Sequence, residues 1–368
     1  MADLTALDLE LGAEFANTLR RYVEARRAVC VLDRRLSPRR QRAQLEILGA
    51  THVDDGTGAR RVDGRAVAPE VGLVMLTSGS SGAPKAAELS WDALSASAAM
   101  TQAALRRSAP PVWFACLPPS HIGGLAVLLR AILADGSLVW PDDDTPAQAL
   151  AQGATHIAVV RAHLARHDLS AYEVVLLGGA RAPQRLDDNV VTTWGMTETG
   201  SGIVYDGRRL DGVEVVSVDG ELLVRSPTLF SAYRDAPRPR RRGPDGRDDW
   251  FPTGDAGEIV EGRVRVRGRI AYVINTGGEK VWPDDLEAAL ANVPGVRDVA
   301  VTGTADPEWG ERVVALVVTD GRRCDDALRA AAEERIGPWA KPKEIRYVTA
   351  LPRTDNGKIV RSLLGHLH

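Results

Sequence analysis

Apolar residues in this chain fall in short runs divided by turn residues, and the runs alternate between two kinds. Val71-Gly72-Leu73-Val74-Met75-Leu76 is a continuous apolar stretch, the pattern of a buried strand. After a Ser/Gly-rich break, Ser90 stands where an N-cap belongs, with Asp92 in the first turn of a helix to about residue 106. Residues 112–117 read as a strand and 125–134 as an apolar helix ending near Asp135-Gly136. Residues 137–140 read as a short strand, 147–152 as a helical piece, and 157–160 and 174–177 as buried strands that end in loops. This alternation predicts α/β layers with mainly parallel strands.

The texture changes after about Gly200. Residues 213–218 and 221–225 flank Asp219-Gly220 as a hairpin would, and 257–266 reads as another hairpin. Residues 234–249 are rich in Pro, Arg, Gly and Asp and read as a solvated loop; acids follow the arginines directly and no aromatics interleave, which argues against a nucleic-acid patch. From Pro283 the order is helix (284–292), strand (296–303), strand (312–319), helix (325–336), strand (344–348). The expected fold class is α/β: a large N-terminal domain of layered α/β sheets plus a small β-barrel-like subdomain, then a smaller α+β C-terminal domain. The expected join is near Gly268-Arg269, giving domains 1–269 and 270–368.

Composition adds exclusions. A 368-residue chain is comfortable for two domains. No apolar run approaches the about 20 residues of a membrane span, and the N-terminus lacks a basic segment followed by an apolar stretch. The net charge of −3 argues against bulk electrostatic binding to nucleic acid. Cys30, Cys116 and Cys324 form neither a metal spacing nor a disulfide framework, which fits a reducing, cytoplasmic setting. Of the 46 basic residues only Lys85, Lys280, Lys341, Lys343 and Lys358 are lysines. Where arginine serves nearly every solvated position, a lysine is a candidate for a role that needs a compact, flexible ammonium.

The first such candidate closes Thr77-Ser78-Gly79-Ser80-Ser81-Gly82-Ala83-Pro84-Lys85. Glycines let a backbone turn sharply and present N–H groups to an anion, the hydroxyls add donors, and Lys85 adds charge; together they suit a polyphosphate. The lysine spacing is not that of a Walker A loop. The plainer alternative is a flexible Ser/Gly turn.

This stretch resembles the signature loop of the adenylate-forming family of acyl- and aryl-CoA ligases, peptide-synthetase adenylation domains and luciferases, with Ala86 where a glycine usually follows the lysine. Further motifs agree in order. Trp194-Gly195-Met196-Thr197-Glu198-Thr199 resembles the family's aromatic-Gly-x-Thr-Glu motif. The resemblance implies an aromatic over adenine, Thr197 on a phosphate oxygen and Glu198 on Mg²⁺. Gly178-Gly179-Ala180 follows a buried strand, where the family passes beside the adenine. Trp250-Phe251-Pro252-Thr253-Gly254-Asp255 resembles the Thr-Gly-Asp motif, with Asp255 on the ribose hydroxyls. Arg267-Gly268-Arg269-Ile270-Ala271-Tyr272 resembles the interdomain join: Arg269 would reach ribose or phosphate, and Ala271 stands where the hinge is usually Asp or Lys. Thr276-Gly277-Gly278-Glu279-Lys280 resembles the Gly-rich lining of the pantetheine tunnel. Pro352-Arg353-Thr354-Asp355-Asn356-Gly357-Lys358 resembles the C-terminal lysine loop of a mobile domain, where Lys358 would stabilise charge during adenylation.

The acyl site is expected at Pro118-Pro119-Ser120-His121-Ile122-Gly123-Gly124-Leu125, with His121 beside the substrate carboxylate in a positioning role. Pocket candidates are His121, Gly123, Gly179, Ser201 and Gly202. Residues 120–125 and 196–207 look most similar to the o-succinylbenzoate–CoA ligases of menaquinone biosynthesis, and the short front, with Leu32-Asp33 and Ser37-Pro38, is similar to compact actinobacterial-type members. The resemblance implies ATP, Mg²⁺ and coenzyme A, a small-molecule carboxylic acid as partner, and a homodimer only as a family-style expectation. Three alternatives stand beside it: another acid or a carrier-protein thiol as acceptor, a non-catalytic nucleotide-binding relative, and a P-loop phosphotransferase, which would form ADP rather than AMP.

Overall fold

The computed structural model describes residues 1–77, 84–106, 109–134, 136–141, 143–179, 186–353 and 359–367. The chain divides into two compact units, Met1–Val215 with Val224–Phe251, and Val216–Leu223 with Pro252–His368.

In the first unit, the short apolar runs become central strands buried by their neighbours, whereas the edge strands Ala59–Arg61, Arg208–Arg209 and Ala236–Pro237 are exposed. One sheet has the order Ala236–Pro237, Ala232–Tyr233, Lys85–Ser90, Val71–Thr77, Ala28–Val31, Leu4–Leu7, His52–Asp54, Ala59–Arg61. Its middle is parallel, and Val71–Thr77 turns back antiparallel into Lys85–Ser90. The second sheet has the order Arg208–Arg209, Ser201–Tyr205, Val190–Met196, Val174–Gly178, His156–Val160, Val112–Phe114, Ser137–Val139, parallel except at its first two strands. Helices Trp91–Leu105 and Ile122–Leu133 pack on each other. The former also touches Val71–Thr77, Lys85–Ser90 and Ser201–Tyr205; the latter touches Val112–Phe114, His156–Val160 and Ser201–Tyr205. These helices form a layer that meets both sheets, as the alternating pattern predicts, and each sheet has a further buried cluster without them.

Ser90 caps its helix as expected, its Oγ accepting from the Ala93 amide at 3.1 Å. The apolar helix starts at Ile122, earlier than the apolar run suggests, and takes both glycines of Ile122-Gly123-Gly124 into its first turn. A side chain at Gly124 would put Cβ 2.3 Å from the Pro118 carbonyl oxygen and 2.5 Å from that of Leu117. The bare backbone thus lets the helix start directly beneath the preceding loop. The strand expected over 112–117 stops at Phe114, because its neighbours Ser137–Val139 and His156–Val160 pair with no residue beyond it. The N-terminal strands Leu4–Leu7 and Ala28–Val31 and the helix Ala13–Glu24 fill a region the pattern left sparse.

The second unit carries a sheet of Glu279–Val281, Ile274–Thr276, Gly310–Thr319 and Val296–Asp306, with Glu344–Tyr347 parallel to Gly310–Thr319. Along Gly310–Thr319 the burial has strand period: Val313, Ala315 and Val317 join Leu286, Leu290 and Leu328 of the two packed helices, while Val314 and Leu316 meet Leu351 and Leu364 on the other face. These elements follow the order expected from Pro283 onward. The predicted hairpins at 213–225 and 257–266 form a linear four-stranded sheet of Glu214–Val218, Glu221–Arg225, Phe251–Val260 and Arg263–Arg269. No helix among the described residues is long and apolar enough to cross a membrane.

The two glycines at the start of the apolar helix should respond differently to the same substitution. Gly124→Ala forces backbone overlap and is expected to cost about 1–3 kcal/mol. Gly123→Ala meets nothing closer than the Leu117 Cδ1 at 3.8 Å and should be neutral or slightly stabilising. Denaturant midpoints of the two variants check this; equal midpoints would contradict the close packing of Gly124 under the loop.

Candidate active site

Thr77 ends one strand and Lys85 opens its antiparallel partner, the two being paired in register. The residues between them expected to bind phosphate, Ser78, Gly79, Ser80, Ser81 and Gly82, lie outside the described residues, as do Ala180 and Lys358. The 3₁₀ turn Thr197–Thr199 packs against both of these strands, which brings Thr77, Lys85, Thr197 and Glu198 into one neighbourhood. Glu198 is only 7% exposed, and its Oε1 accepts a 2.9 Å hydrogen bond from the Tyr233 hydroxyl. The Lys85 ammonium lies 5.2 Å from the centre of the same Tyr233 ring. Tyr233 thus joins the anionic and cationic parts of the site. Sequence reasoning passed over it because it stands in none of the motifs.

Trp194, Gly195 and Met196 end the strand Val190–Met196, with an irregular register between Trp194 and Gly195. Gly195 faces Gly202 across the ladder. A Cβ at Gly195 would lie 2.2 Å from the Ser201 carbonyl oxygen, and one at Gly202 1.8 Å from the Thr193 Oγ1. Close approach of the facing backbone therefore accounts for Gly195, and the Thr193 and Tyr205 side chains for Gly202. Thr199 locks the turn: its Oγ1 accepts from the Met196 amide at 2.9 Å and donates to the Ser201 carbonyl at 2.7 Å. Gly178 ends its strand and Gly179 follows at the C-terminal edge. Among the described residues no three His, Cys, Asp or Glu side chains cluster to hold a metal ion. The buried carboxylate of Glu198 would offer Mg²⁺ one hard oxygen ligand.

On the acyl side, His121 is the N-cap of the apolar helix, and its side chain is 43% exposed. Gly123 lies on the first turn of that helix. Ser201 is buried and accepts a hydrogen bond from Nη2 of Arg130. Arg130 is a second residue that sequence reasoning missed. It sits in the otherwise uncharged helix Ile122–Leu133, is 2% exposed, and lies with its guanidinium 5.3 Å from the Trp113 ring centre. Its Nε and Nη1 are buried without hydrogen-bond partners, and it makes no ion pair among the described residues. Burial drives its pKa below the ordinary arginine value, with the nearby Tyr205 opposing. A small cavity lined by Arg130, Ser97 and Gly200 adjoins it.

In the second unit, Asp255 and Arg269 are paired across a ladder, with Arg269 Nε 2.9 Å from Asp255 Oδ1 and Nη1 donating to the Thr253 carbonyl at 2.8 Å. The Thr253 hydroxyl in turn accepts from the Asp255 amide at 3.1 Å, so the turn holds its own carboxylate. Thr276 is buried, and Gly277 and Gly278 form a two-residue hairpin turn with φ of 59° and 85°, values fitting a type I′ turn that favours glycine. A side chain at Gly277 would also meet the Trp309 ring at 2.9 Å. The chain past Lys358 is anchored by Arg361, which donates to Asp284 Oδ1 at 2.6 Å, to Glu287 Oε1 at 2.9 Å and to the Val301 carbonyl at 3.0 Å.

The model of the AMP-binding enzyme family matches residues 22–234, and that of the AMP-binding enzyme C-terminal domain matches residues 285–358. A probable 2-succinylbenzoate–CoA ligase of Mycobacterium tuberculosis is 37% identical over 339 residues, covering 83% of this chain and 87% of the relative. A 2-succinylbenzoate–CoA ligase of Listeria monocytogenes is 31% identical over 329 residues, covering 80% and 70%. The fold is also that of o-succinylbenzoate CoA synthetase from Bacillus subtilis in complex with its acyl-adenylate intermediate, with a TM-score of 0.83 at 23% identity over 98% of this chain and 88% of that one. With both family models matched in order and a relative of this identity spanned over most of its length, the chain belongs to the AMP-binding enzyme family.

Proposed function

We propose that this chain is an ATP-dependent 2-succinylbenzoate–CoA ligase. The reaction class follows from the family and from relatives of that name. The observation that carries the choice of acid is Arg130. A guanidinium sealed in an apolar helix, with two nitrogens unsatisfied, is costly unless an anion arrives to meet it. An acid with one carboxylate commits that group to activation and leaves Arg130 unmatched. 2-Succinylbenzoate has a second carboxylate, and Arg130, steadied by Ser201 and the Trp113 face, offers it a fork of donors. A monocarboxylic acid would be rejected because it leaves buried donors unpaired.

The chemistry runs in two transfers. One carboxylate oxygen of the acid attacks the α-phosphorus of ATP, the bond to the bridging oxygen breaks, and pyrophosphate leaves. The CoA thiolate then attacks the acyl carbon of the adenylate and AMP leaves with the oxygen it gained. In this reading His121 orients the acid and Gly123, Ser201 and Gly202 shape its pocket. Lys85, Thr77 and Thr197 meet phosphates, with the loop 78–82. Trp194, Gly195, Met196 and 178–180 flank the adenine, Asp255 and Arg269 meet the ribose, and Thr276, Gly277 and Gly278 line the thiol's approach. Lys358 supplies charge to the first transfer. Glu198 would hold Mg²⁺, which screens the charge on the phosphates when bound. The working division is 1–269 and 270–368, with the turn Ile270–Tyr272 as the hinge between adenylating and thioester-forming arrangements.

Two outcomes follow. Arg130→Met removes an unmatched charge, so its denaturant midpoint should not fall. Its kcat/KM for 2-succinylbenzoate should drop about 100-fold, equivalent to roughly 2.7 kcal/mol. Wild-type turnover of 2-succinylbenzoate by Arg130→Met would overturn the choice of acid. Tyr233→Phe removes the hydroxyl that holds Glu198, so the Mg²⁺ concentration giving half-maximal AMP formation should rise about tenfold; an unchanged requirement would detach Glu198 from the metal.

A further inference from the structure

Beside the helix that carries His121, the chain makes a tight turn after the strand Ala28–Val31. The Asp33 amide donates to Gln44 Oε1 at 2.8 Å, and Gln41 donates to the Asp33 carbonyl at 3.2 Å, so the helix Pro38–Leu48 clamps this turn from both sides. The Asp33 carboxylate is largely buried and points back at Arg35. Its Oδ1 accepts from the Arg35 amide at 3.1 Å and from Nε at 2.8 Å, and its Oδ2 accepts from Nη2 at 2.6 Å. This is a two-pronged carboxylate–guanidinium pair, the arrangement that fixes the plane of an arginine best. Burial by itself would raise the Asp33 pKa, but the paired guanidinium outweighs it and holds the carboxyl below its ordinary value.

The same Nη2 lies 3.3 Å from Nε2 of His121. A guanidinium has hydrogens to donate and no lone pair to offer, so the contact is a hydrogen bond only if His121 Nε2 is unprotonated and accepts. Asp33 Oδ2, at 3.9 Å from the same nitrogen, is too far to take a proton from it. We infer that Arg35, held by Asp33, is a positioning residue for His121: it fixes the imidazole as the neutral tautomer with its proton on Nδ1 and sets the ring's orientation. Protonating Nε2 would break the bond and set a second cation against the guanidinium. His121 is thereby presented to the incoming acid as a neutral ring in one orientation, and the clamp on Asp33 ties that orientation to the first sheet.

The consequence for catalysis rests on the ligase reading above, whereas the tautomer does not, and the test separates the two. ¹⁵N-histidine NMR of the full chain, with the His121 signal assigned by its loss in His121→Gln, should place the His121 proton on Nδ1 in wild type and move it toward Nε2 in Arg35→Met. Steady-state kinetics of Arg35→Met should show KM for the acid raised about tenfold, with KM for ATP unchanged, and Arg35→Lys should recover part of that loss. A wild-type proton on Nε2, or an unchanged KM for the acid in Arg35→Met, overturns the proposal. Should Arg35→Met fail to fold, the wild-type tautomer and Arg35→Lys still decide. If wild type forms no acyl-adenylate while the tautomer is as stated, the ligase reading fails and the positioning of His121 stands.

Discussion

A charged side chain enclosed in an apolar helix sets the terms for the acyl side of this molecule. Arg130 is packed between the Trp113 ring and the Ser201 hydroxyl, with two of its nitrogens unmet. Removing a guanidinium from water without a counter-charge costs several kcal/mol, and nothing in a helix of Ile, Gly, Leu, Ala and Val returns it. In the ligase reading, the second carboxylate of the acid is what would relieve this deficit. The charge sits beside Ser201, which the Thr199 hydroxyl ties to the turn carrying Thr197 and Glu198. The group that would select the acid thus leans on the same short piece of backbone that carries the groups that would meet the nucleotide.

The rest of the first unit follows the same logic. Functional candidates sit at strand ends and turns, and each is held by a side chain from another element: Glu198 by Tyr233, His121 by Arg35, Ser201 by Arg130. Such support lets polar groups keep one orientation without being part of a rigid element. In the second unit, Asp255 is held by Arg269 from the adjacent strand, and Arg361 fixes the chain after Lys358 on the helix Pro283–Leu290.

Much of the fold was legible because it rests on local rules. Ser90 with Asp92, the apolar strand at Val71–Thr77 and the helix–strand–strand–helix–strand order after Pro283 all carry capping or periodicity signals. The strands Leu4–Leu7 and Ala28–Val31 were not legible, since four residues are too few for periodicity to separate strand from helix. The motif residues could be named from their order, but their supporting partners could not. Tyr233 is 35 residues from Glu198 and Arg35 is 86 from His121, and such pairings exist only once the sheets form. Arg130 did leave a trace, a lone charge in an apolar helix. In a chain where arginine fills most basic positions, that trace reads as one more solvated residue; attention to lysine pointed away from it.

The most direct measurement is a calorimetric binding cycle. The dissociation constants of 2-succinylbenzoate and of its two analogues lacking one carboxylate each are compared in wild type and in Arg130→Met. If Arg130 selects the acid, one analogue binds wild type about 10–100-fold more weakly than the parent, and this difference disappears in the variant. A loss of the same size in both proteins, or no loss in wild type, would contradict that role.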